Sequence, residues 1–223
     1  MPSSTVEQYI KIIYLQAERS RRSLVQMKEL AAEMGVTPGT ATSMVKHLAE
    51  RGLILYVPRK GVELTDAGRS LALTMVRRHR LIETFLEQVL GYDWSEVHDD
   101  AERLEHAVSE QFVDRIDAYL GNPEFDPHGD PIPTADGAIE RHETCPLSRC
   151  QPGQRVEIRR IGNTDSSVLS LMKEYQVMPG EVFTLVDSSA AGGTVSLQHD
   201  SSAAVRTIGL DLGSRIQVAV LAD

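Results

Sequence analysis

The chain has 223 residues, enough for two or three compact units with cores of their own, and an ordinary globular composition. No apolar run approaches the ~18 to 20 residues of a bilayer span, and Met1 to Glu7 lacks a basic-then-apolar secretory signal, so no membrane partner and a cytoplasmic location are expected. The net charge of −9 speaks against a nucleic-acid partner only as an average, because residues 1–80 carry 13 Lys and Arg against 7 Asp and Glu whereas residues 81–140 carry 2 against 16. The first stretch can meet phosphate and the second can draw cations.

Val6 to Ala17 predict a helix with Tyr9, Ile10, Ile13 and Tyr14 on one face. A second helix is expected from near Val25 to Gly35. Thr37 is a suitable N-cap for a third, with Pro38 at the first helical position, where its missing N–H costs nothing; Gly52 closes it. Leu53 to Val57, a turn at Pro58 to Gly61 and Val62 to Leu64 then form a β-hairpin. Together these predict a winged helix-turn-helix. The outward face of its third helix offers Thr40, Thr42, Ser43, Lys46 and His47, and the wing tip adds Arg59 and Lys60, groups suited to base edges and phosphates of double-stranded DNA. Winged helices also serve protein contacts; the basic excess favours DNA.

Thr65-Asp66 opens a long helix to about Leu90, and Ser95 is placed as the cap of another from about Glu96 to Tyr119. Their apolar residues, among them Leu90, Leu104 and Phe112, exceed what one helix pair needs to cover itself, and a homodimer interface would use the surplus. The same two helices carry His79 and Glu83 four apart, then His98, Glu102, Glu105 and His106, which a single helix would hold within one stripe. Imidazole and carboxylate are ligands of borderline and hard divalent ions. One site can draw on His79, Glu83 and His98, and another on Glu102, Glu105 and His106, completed by an N-terminal helix residue such as Gln8; surface Glu–His pairing is the plainer alternative. A hydrolytic metalloenzyme is a rival reading, but the chain has no His-Glu-x-x-His, no glycine-rich phosphate loop and no serine or cysteine elbow.

Gly121 to Pro133, with four prolines and two glycines, is expected to be an ordered excursion leading into a polar linker from Thr134 to Arg149. Cys145 and Cys150 bound a Pro-bearing stretch, Cys145-Pro-Leu-Ser-Arg-Cys150; their spacing, with no second pair, suits reduced linker thiols better than a zinc site. Beyond Gln151 the segments 154–158, 182–186, 194–197 and 216–220 are strand-like, with a short helix around Ser167 to Tyr175. A small β-barrel is expected. The fold class is thus mainly α with β: a winged helix over residues 1–72, a helical metal-binding and dimerisation domain over 73–140, a linker at 141–150 and a small barrel over 151–223.

With these motifs and the segment Asp126-Pro-His-Gly-Asp-Pro-Ile-Pro133 in place, the chain resembles the diphtheria-toxin-repressor family of iron- and manganese-dependent regulators over residues 5–133 and, more loosely, 147–221, where PGQRVEIRRI and VMPGE look like an SH3-like, FeoA-type domain. The resemblance implies an ancillary metal site at His79, Glu83 and His98 and a primary site at Gln8, Glu102, Glu105 and His106. Iron-type members carry cysteine where Glu102 stands, so the likeness leans to the manganese-responsive type, with Mn2+ as cofactor and Fe2+ as the alternative. Aspartate is usual in manganese-type members where this chain has Gln8, and Lys11 stands where some have a second-site glutamate. Longer relatives lend ancillary ligands from the SH3-like domain; the stretch Asn163 to Ser167 offers only Asp165. Thr37, Pro38, Gly39, Thr40, Thr42 and Ser43 occupy the family's DNA-approaching positions. The function implied is a metal-activated repressor of metal-homeostasis genes; a metal-independent winged-helix regulator is the nearest alternative.

Overall fold

The computed structural model describes residues 3–140, 142–162 and 165–222. The chain forms two compact units, each built from separate stretches: Met1–His79 with Glu105–Val108 and Pro133–Ala138, and Arg80–Leu104 with Ser109–Ile132 and Ile139–Asp223.

In the first unit, helix α1 (Ser4–Ser20) begins where the Ser3 side chain accepts the Val6 N–H, and ends as Arg21 turns left-handed. It buries the four expected apolar residues, and with them Glu7 and Lys11. Helix α2 (Met27–Glu33) starts two residues later than expected, because Val25 pairs with Val62 through reciprocal backbone hydrogen bonds of 2.9 Å. Helix α3 (Pro38–Glu50) opens as predicted, with Thr37 accepting the Thr40 N–H and Pro38 in the first turn, and buries Ala41, Val45 and Leu48. Strands β1 (Ile54–Val57) and β2 (Gly61–Leu64) form the antiparallel wing, Ile54 opposite Leu64 and Val57 opposite Gly61. Gly61 has φ +143°, and a Cβ there would lie 2.2 Å from the Val25 carbonyl oxygen, so only glycine lets the Val25 segment close against the wing.

Helix α4 (Asp66–Gln88) follows the wing. The single helix expected over 96–119 is instead two, α5 (Val97–Leu104) and α6 (Glu110–Tyr119), with Ser109 capping the second by accepting the Phe112 N–H. At the break the Glu105 carboxylate is buried on the Lys11 ammonium, and Glu105–Val108 belong to the first unit. The turn into α5 is organised by Asp93, whose carboxylate accepts both the N–H and the hydroxyl of Ser95; Ser95 is therefore a donor here and not the cap.

The Gly121–Pro133 segment is ordered, as expected. Asp126 accepts the backbone N–H groups of His128 and Asp130, Ile161 donates its N–H to the His128 carbonyl at 2.9 Å, and a Cβ on Gly129 (φ +84°) would sit 1.9 Å from the Arg159 carbonyl oxygen. The remainder of the second unit is an antiparallel six-stranded sheet in the order β3-β8-β4-β5-β6-β7. Its members are β3 (Cys145–Pro146), β4 (Arg155–Ile161), β5 (Val182–Ser189), β6 (Thr194–His199), β7 (Val205–Gly209) and β8 (Ile216–Val220), with helices α7 (Ser166–Glu174) and α8 (Leu210–Arg215) between strands. All four expected strands are present; β3, β7 and α8 are additions. Val156, Ile158, Leu169, Phe183, Leu197 and Val218 fill the core, each worth about 1.5–3 kcal/mol by burial.

Candidate metal centre

Two clusters of ligating side chains are formed, one within each unit. In the first unit the ring of His106 is held at both ends. Its Nδ1 lies 2.9 Å from Glu7 Oε2, while Nε2 lies 3.2 Å from Gln8 Oε1 and 3.4 Å from Glu105 Oε1. With the Nδ1 proton donated to Glu7, Nε2 turns a lone pair toward two further acceptor oxygens. Nε2 thus faces the Gln8 carboxamide and the Glu105 carboxylate, a donor set that a cation or a second imidazole proton would join. Glu7 is the carboxylate that orients the His106 ring. It was not expected from the sequence, although its place one residue before Gln8 in α1 is a usable signal.

Glu105 is fully buried and already holds a cation. Lys11 Nζ donates to both carboxylate oxygens, at 2.7 and 2.8 Å, and is itself 2% exposed; His79 Nδ1 lies 2.7 Å from Oε2. With Nδ1–H given to Glu105, the lone pair of His79 resides on Nε2. The single-stripe geometry expected for Glu102, Glu105 and His106 is not what forms. Glu102 is on the last turn of α5, while Glu105 and His106 lie in the turn beyond its end.

In the second unit Glu83 is the hub. Its Oε1 is 3.1 Å from His98 Nδ1, its Oε2 is 3.8 Å from His128 Nδ1, and His98 Nε2 is 3.8 Å from Glu102 Oε1. His128 donates Nε2–H to the Trp94 carbonyl at 2.9 Å, which leaves Nδ1 as the lone-pair nitrogen facing Glu83. Ligand atoms of Glu83, Asp126 and His128 lie within 4.8 Å of one another, all three side chains buried. Burial, reinforced by the negative charges of Asp130 and Glu83, pushes the Asp126 carboxyl up to about 7 against the pull of His128 and Arg80. Two acids buried together, with the partly exposed Asp130 beside them, favour a bound cation. Asp126 and His128 are ligand candidates that the sequence reading left in a connecting segment; the signal was Asp-Pro-His inside the acidic block.

The donor sets fit a divalent ion: oxygen and imidazole nitrogen throughout, no thiolate, and second-partner hydrogen bonds that fix the ring orientations of His106 and His128. Asp165 caps α7 by accepting the Ser167 N–H; Asn163 and Thr164 lie outside the described residues.

On the DNA-facing side, Thr37, Pro38, Gly39, Thr40, Ser43 and Lys46 are exposed, as are Arg59 and Lys60 at the wing tip, while Thr42 is half-buried. Several hydroxyls are engaged within the helix: Thr42 donates to the Pro38 carbonyl at 2.7 Å and Ser43 to the Gly39 carbonyl at 3.1 Å. Their remaining lone pairs accept, so they are pre-set as acceptors for base or water donors. Among the described residues no helix is long and apolar enough to cross a membrane.

Comparison with known proteins finds three matching stretches. Residues 1–62 match the N-terminal DNA binding domain of the iron dependent repressors, residues 65–134 their metal binding and dimerisation domain, and residues 145–220 the FeoA domain. The diphtheria toxin repressor of Corynebacterium efficiens is 34% identical over 224 residues, covering 93% of this chain and 96% of its own. The iron-dependent repressor IdeR of Mycobacterium leprae is 29% identical over 223 residues, covering 91% and 96%. Among solved structures, a manganese-dependent transcriptional repressor in complex with manganese superposes with a TM-score of 0.90 at 40% identity, covering 97% of this chain and all 100% of that one. The manganese regulator SloR gives 0.77 at 30% identity, covering 99% and 100%. With a DNA-binding head, a metal-binding and dimerisation domain and a C-terminal FeoA domain, this chain belongs to the diphtheria toxin repressor and IdeR family and is a metal-dependent DNA-binding repressor, not an enzyme.

Proposed function

We propose that the protein is a homodimeric repressor of metal-homeostasis genes activated by Mn2+, with Fe2+ as the alternative effector. The observation that carries this reading is that Gln8 Oε1 and Glu105 Oε1 lie 3.2 and 3.4 Å from His106 Nε2, with Glu7 behind the imidazole. Gln8, Glu102, Glu105 and His106 would hold the primary ion; His79, Glu83 and His98 would hold a second, with Asp126 and His128 as further donors to Glu83's side. When bound, the ion supplies the positive charge that lets these acids share a small volume. The all-oxygen-and-nitrogen set favours manganese over softer ions, with availability in the cell completing the choice.

The chain's own residues then convert occupancy into DNA affinity. Gln8 and Glu7 are on α1, whose apolar face packs in the core of the DNA-binding head, so drawing Gln8 toward Glu105 and His106 fixes α1 in one position. Only a state that holds the ligands together binds the ion better, and that differential affinity sets the size of the switch. In a two-fold dimer both copies of α3 would enter successive major grooves, Thr37 through Ser43 near bases and backbone and Lys46, Arg59 and Lys60 on phosphates. Leu90, Leu104, Phe112 and Tyr119, all exposed in the second unit, supply apolar area for that dimer. Titrating metal-stripped protein with Mn2+, and separately with Fe2+ under anaerobic conditions, in a calorimeter and in an operator gel shift tests the reading. Glu105→Ala or His106→Ala should abolish metal-dependent operator binding and leave weak salt-sensitive association. Unchanged metal dependence removes the primary-site assignment.

A further inference from the structure

One pair of reactive groups lies outside the metal centre. Cys145 and Cys150 are both free thiols with their sulfurs 3.7 Å apart, and among the described residues neither belongs to a group of three or more metal-ligating side chains. They are not linker residues, as the sequence suggested. Cys145 sits in β3, paired with Val218 of β8 at the edge of the sheet, and the 3-10 turn Leu147–Arg149 folds the chain back so that Cys150 enters the core. That turn is fixed by the Cys150 N–H on the Leu147 carbonyl at 3.0 Å and by Leu147, which is fully buried. A disulfide requires an S–S separation of about 2.05 Å. The two sulfurs need to close by under ~2 Å, a movement within reach of χ1 adjustment on a short edge strand.

We propose that Cys145 and Cys150 form a dithiol that hydroperoxides oxidise reversibly to an intramolecular disulfide, a modification site on the first strand of the FeoA domain. The two sulfurs have distinct parts. Cys150 is 6% exposed, with its thiol directed at the Pro146 carbonyl, whereas Cys145 is half-buried and is the one an oxidant reaches. Burial, and then the neighbouring Cys145, pushes the Cys150 thiol up to about 12, which keeps it protonated until its partner is activated. Cys145 sulfur, as thiolate, attacks one peroxide oxygen. An S–O bond forms, the O–O bond breaks, and the departing hydroxide takes a proton to become water. Cys150 sulfur then attacks the Cys145 sulfenic sulfur. The S–S bond forms as S–O breaks, and the leaving hydroxide carries off the Cys150 proton as a second water. Two thiols give up two electrons, and the peroxide is reduced to two waters.

The product ties a two-residue edge strand covalently to a core residue. β3 is the outermost strand on its side of the sheet and β8 is its strand partner, so oxidation would slow the opening of the place where the polar segment ending at Thr144 joins the sheet.

The test uses the full-length metal-loaded protein treated with hydrogen peroxide, followed by non-reducing peptide mapping. The expected product is one Cys145–Cys150 bridge, two hydrogens lighter than the dithiol and reversed by dithiothreitol. Hydrogen exchange at β3 amides should fall in the oxidised form. On untreated protein, iodoacetamide should label Cys145 roughly tenfold faster than Cys150. In Cys145→Ser, Cys150 should remain a thiol at the same peroxide dose. The proposal is overturned if both thiols persist after exposed methionines have been oxidised, if Cys145 advances to sulfinic acid without a bridge, or if bridging occurs only between molecules. Wild-type mapping decides even if the variant does not fold.

Discussion

Replacing Lys11 with methionine tests whether its ammonium and the proposed primary ion contend for Glu105. Lys11 is buried and donates to both oxygens of Glu105, itself fully buried, so Lys11→Met keeps the volume and leaves a carboxylate without its ammonium. Removing one member of such a pair costs about 3–5 kcal/mol. Because His79 Nδ1 remains 2.7 Å from the same carboxylate, the lower end applies, about 3 kcal/mol. At roughly 2–4 °C per kcal/mol for a chain of this size, the metal-free variant should melt about 6–12 °C below the wild type. Saturating Mn2+ closes that gap: a ligand at about 100 times its Kd adds about 2.7 kcal/mol, and the variant gains more because no ammonium has to give up Glu105. If that release costs the wild type about 3 kcal/mol, the variant should bind Mn2+ on the order of a hundredfold more tightly. Calorimetric titration and thermal melts with and without chelator measure both quantities. Equal Mn2+ affinity in the two proteins would show that lysine and metal do not contend for Glu105, and the account of the site would fall.

Three other substitutions probe the remaining parts. Lys46→Ala should weaken binding to every DNA sequence alike and flatten the dependence of log K on log salt by about one unit; a sequence-selective loss in the same titration would make Lys46 a base reader. Gly129→Ala places a Cβ 1.9 Å from the Arg159 carbonyl oxygen at a φ of +84°, so it should cost roughly 2–3 kcal/mol and weaken metal binding at Glu83 and His128, and an unchanged melt would refute the close-approach argument. Asp93 is held down to about 2 by hydrogen bonds from Lys173 and Ser95. A carboxylate lowered on folding adds stability that is complete above its ordinary value near 3.8 and disappears as pH falls through about 2. Lys173→Met should raise the Asp93 carboxyl toward the ordinary value in an NMR titration and shrink that acid-side loss. No movement would mean that Lys173 is not what holds it.

What could be read from the residues divides by range. The Thr37-Pro38 helix start, the wing between Ile54 and Leu64 and the four strands with alternating apolar residues are local patterns, and each forms where its own residues dictate. The break between Leu104 and Glu110 is only partly local. Helical periodicity continues through Glu105 and His106; Ser109 was a local sign of a restart, but the burial of Glu105 on Lys11, 94 residues away in the chain, is not local. Glu7 was missed for the same reason, since a lone acid on the first turn of a helix reads as a dipole partner until His106 is brought to it. β7 and α8 hide in a run of small and polar residues in which Val205 is exposed and Ile208 alone of the strand is buried, and β3 has only two residues, too few for any period. In the proline-rich excursion the breakers were legible. Their consequence, a rigid Asp-Pro-His turn that delivers Asp126 and His128 to Glu83, required the partner to be seen.

The sharp division of charge along the chain takes on a meaning in the fold that composition leaves open. The acidic stretch does not wait for a metal with all its acids bare, because basic residues from the preceding stretch are already folded onto it. Arg80 reaches Asp126 and Asp130 and donates to the Pro131 carbonyl, and Lys11 occupies Glu105. The two cations differ in what they can yield. Arg80's planar fork is anchored at three points, with Arg160 also on Asp130, so it fixes the frame that carries Asp126 and His128 and has no easier place to go. Lys11 is a point charge on a flexible stem, bonded chiefly to one carboxylate, and a dication arriving at Glu105 meets a cation able to withdraw. In the proposed switch an ion taking Glu105 would have to displace the Lys11 ammonium, so the lysine would bear on the threshold together with the ligands, which is the quantity that Lys11→Met measures.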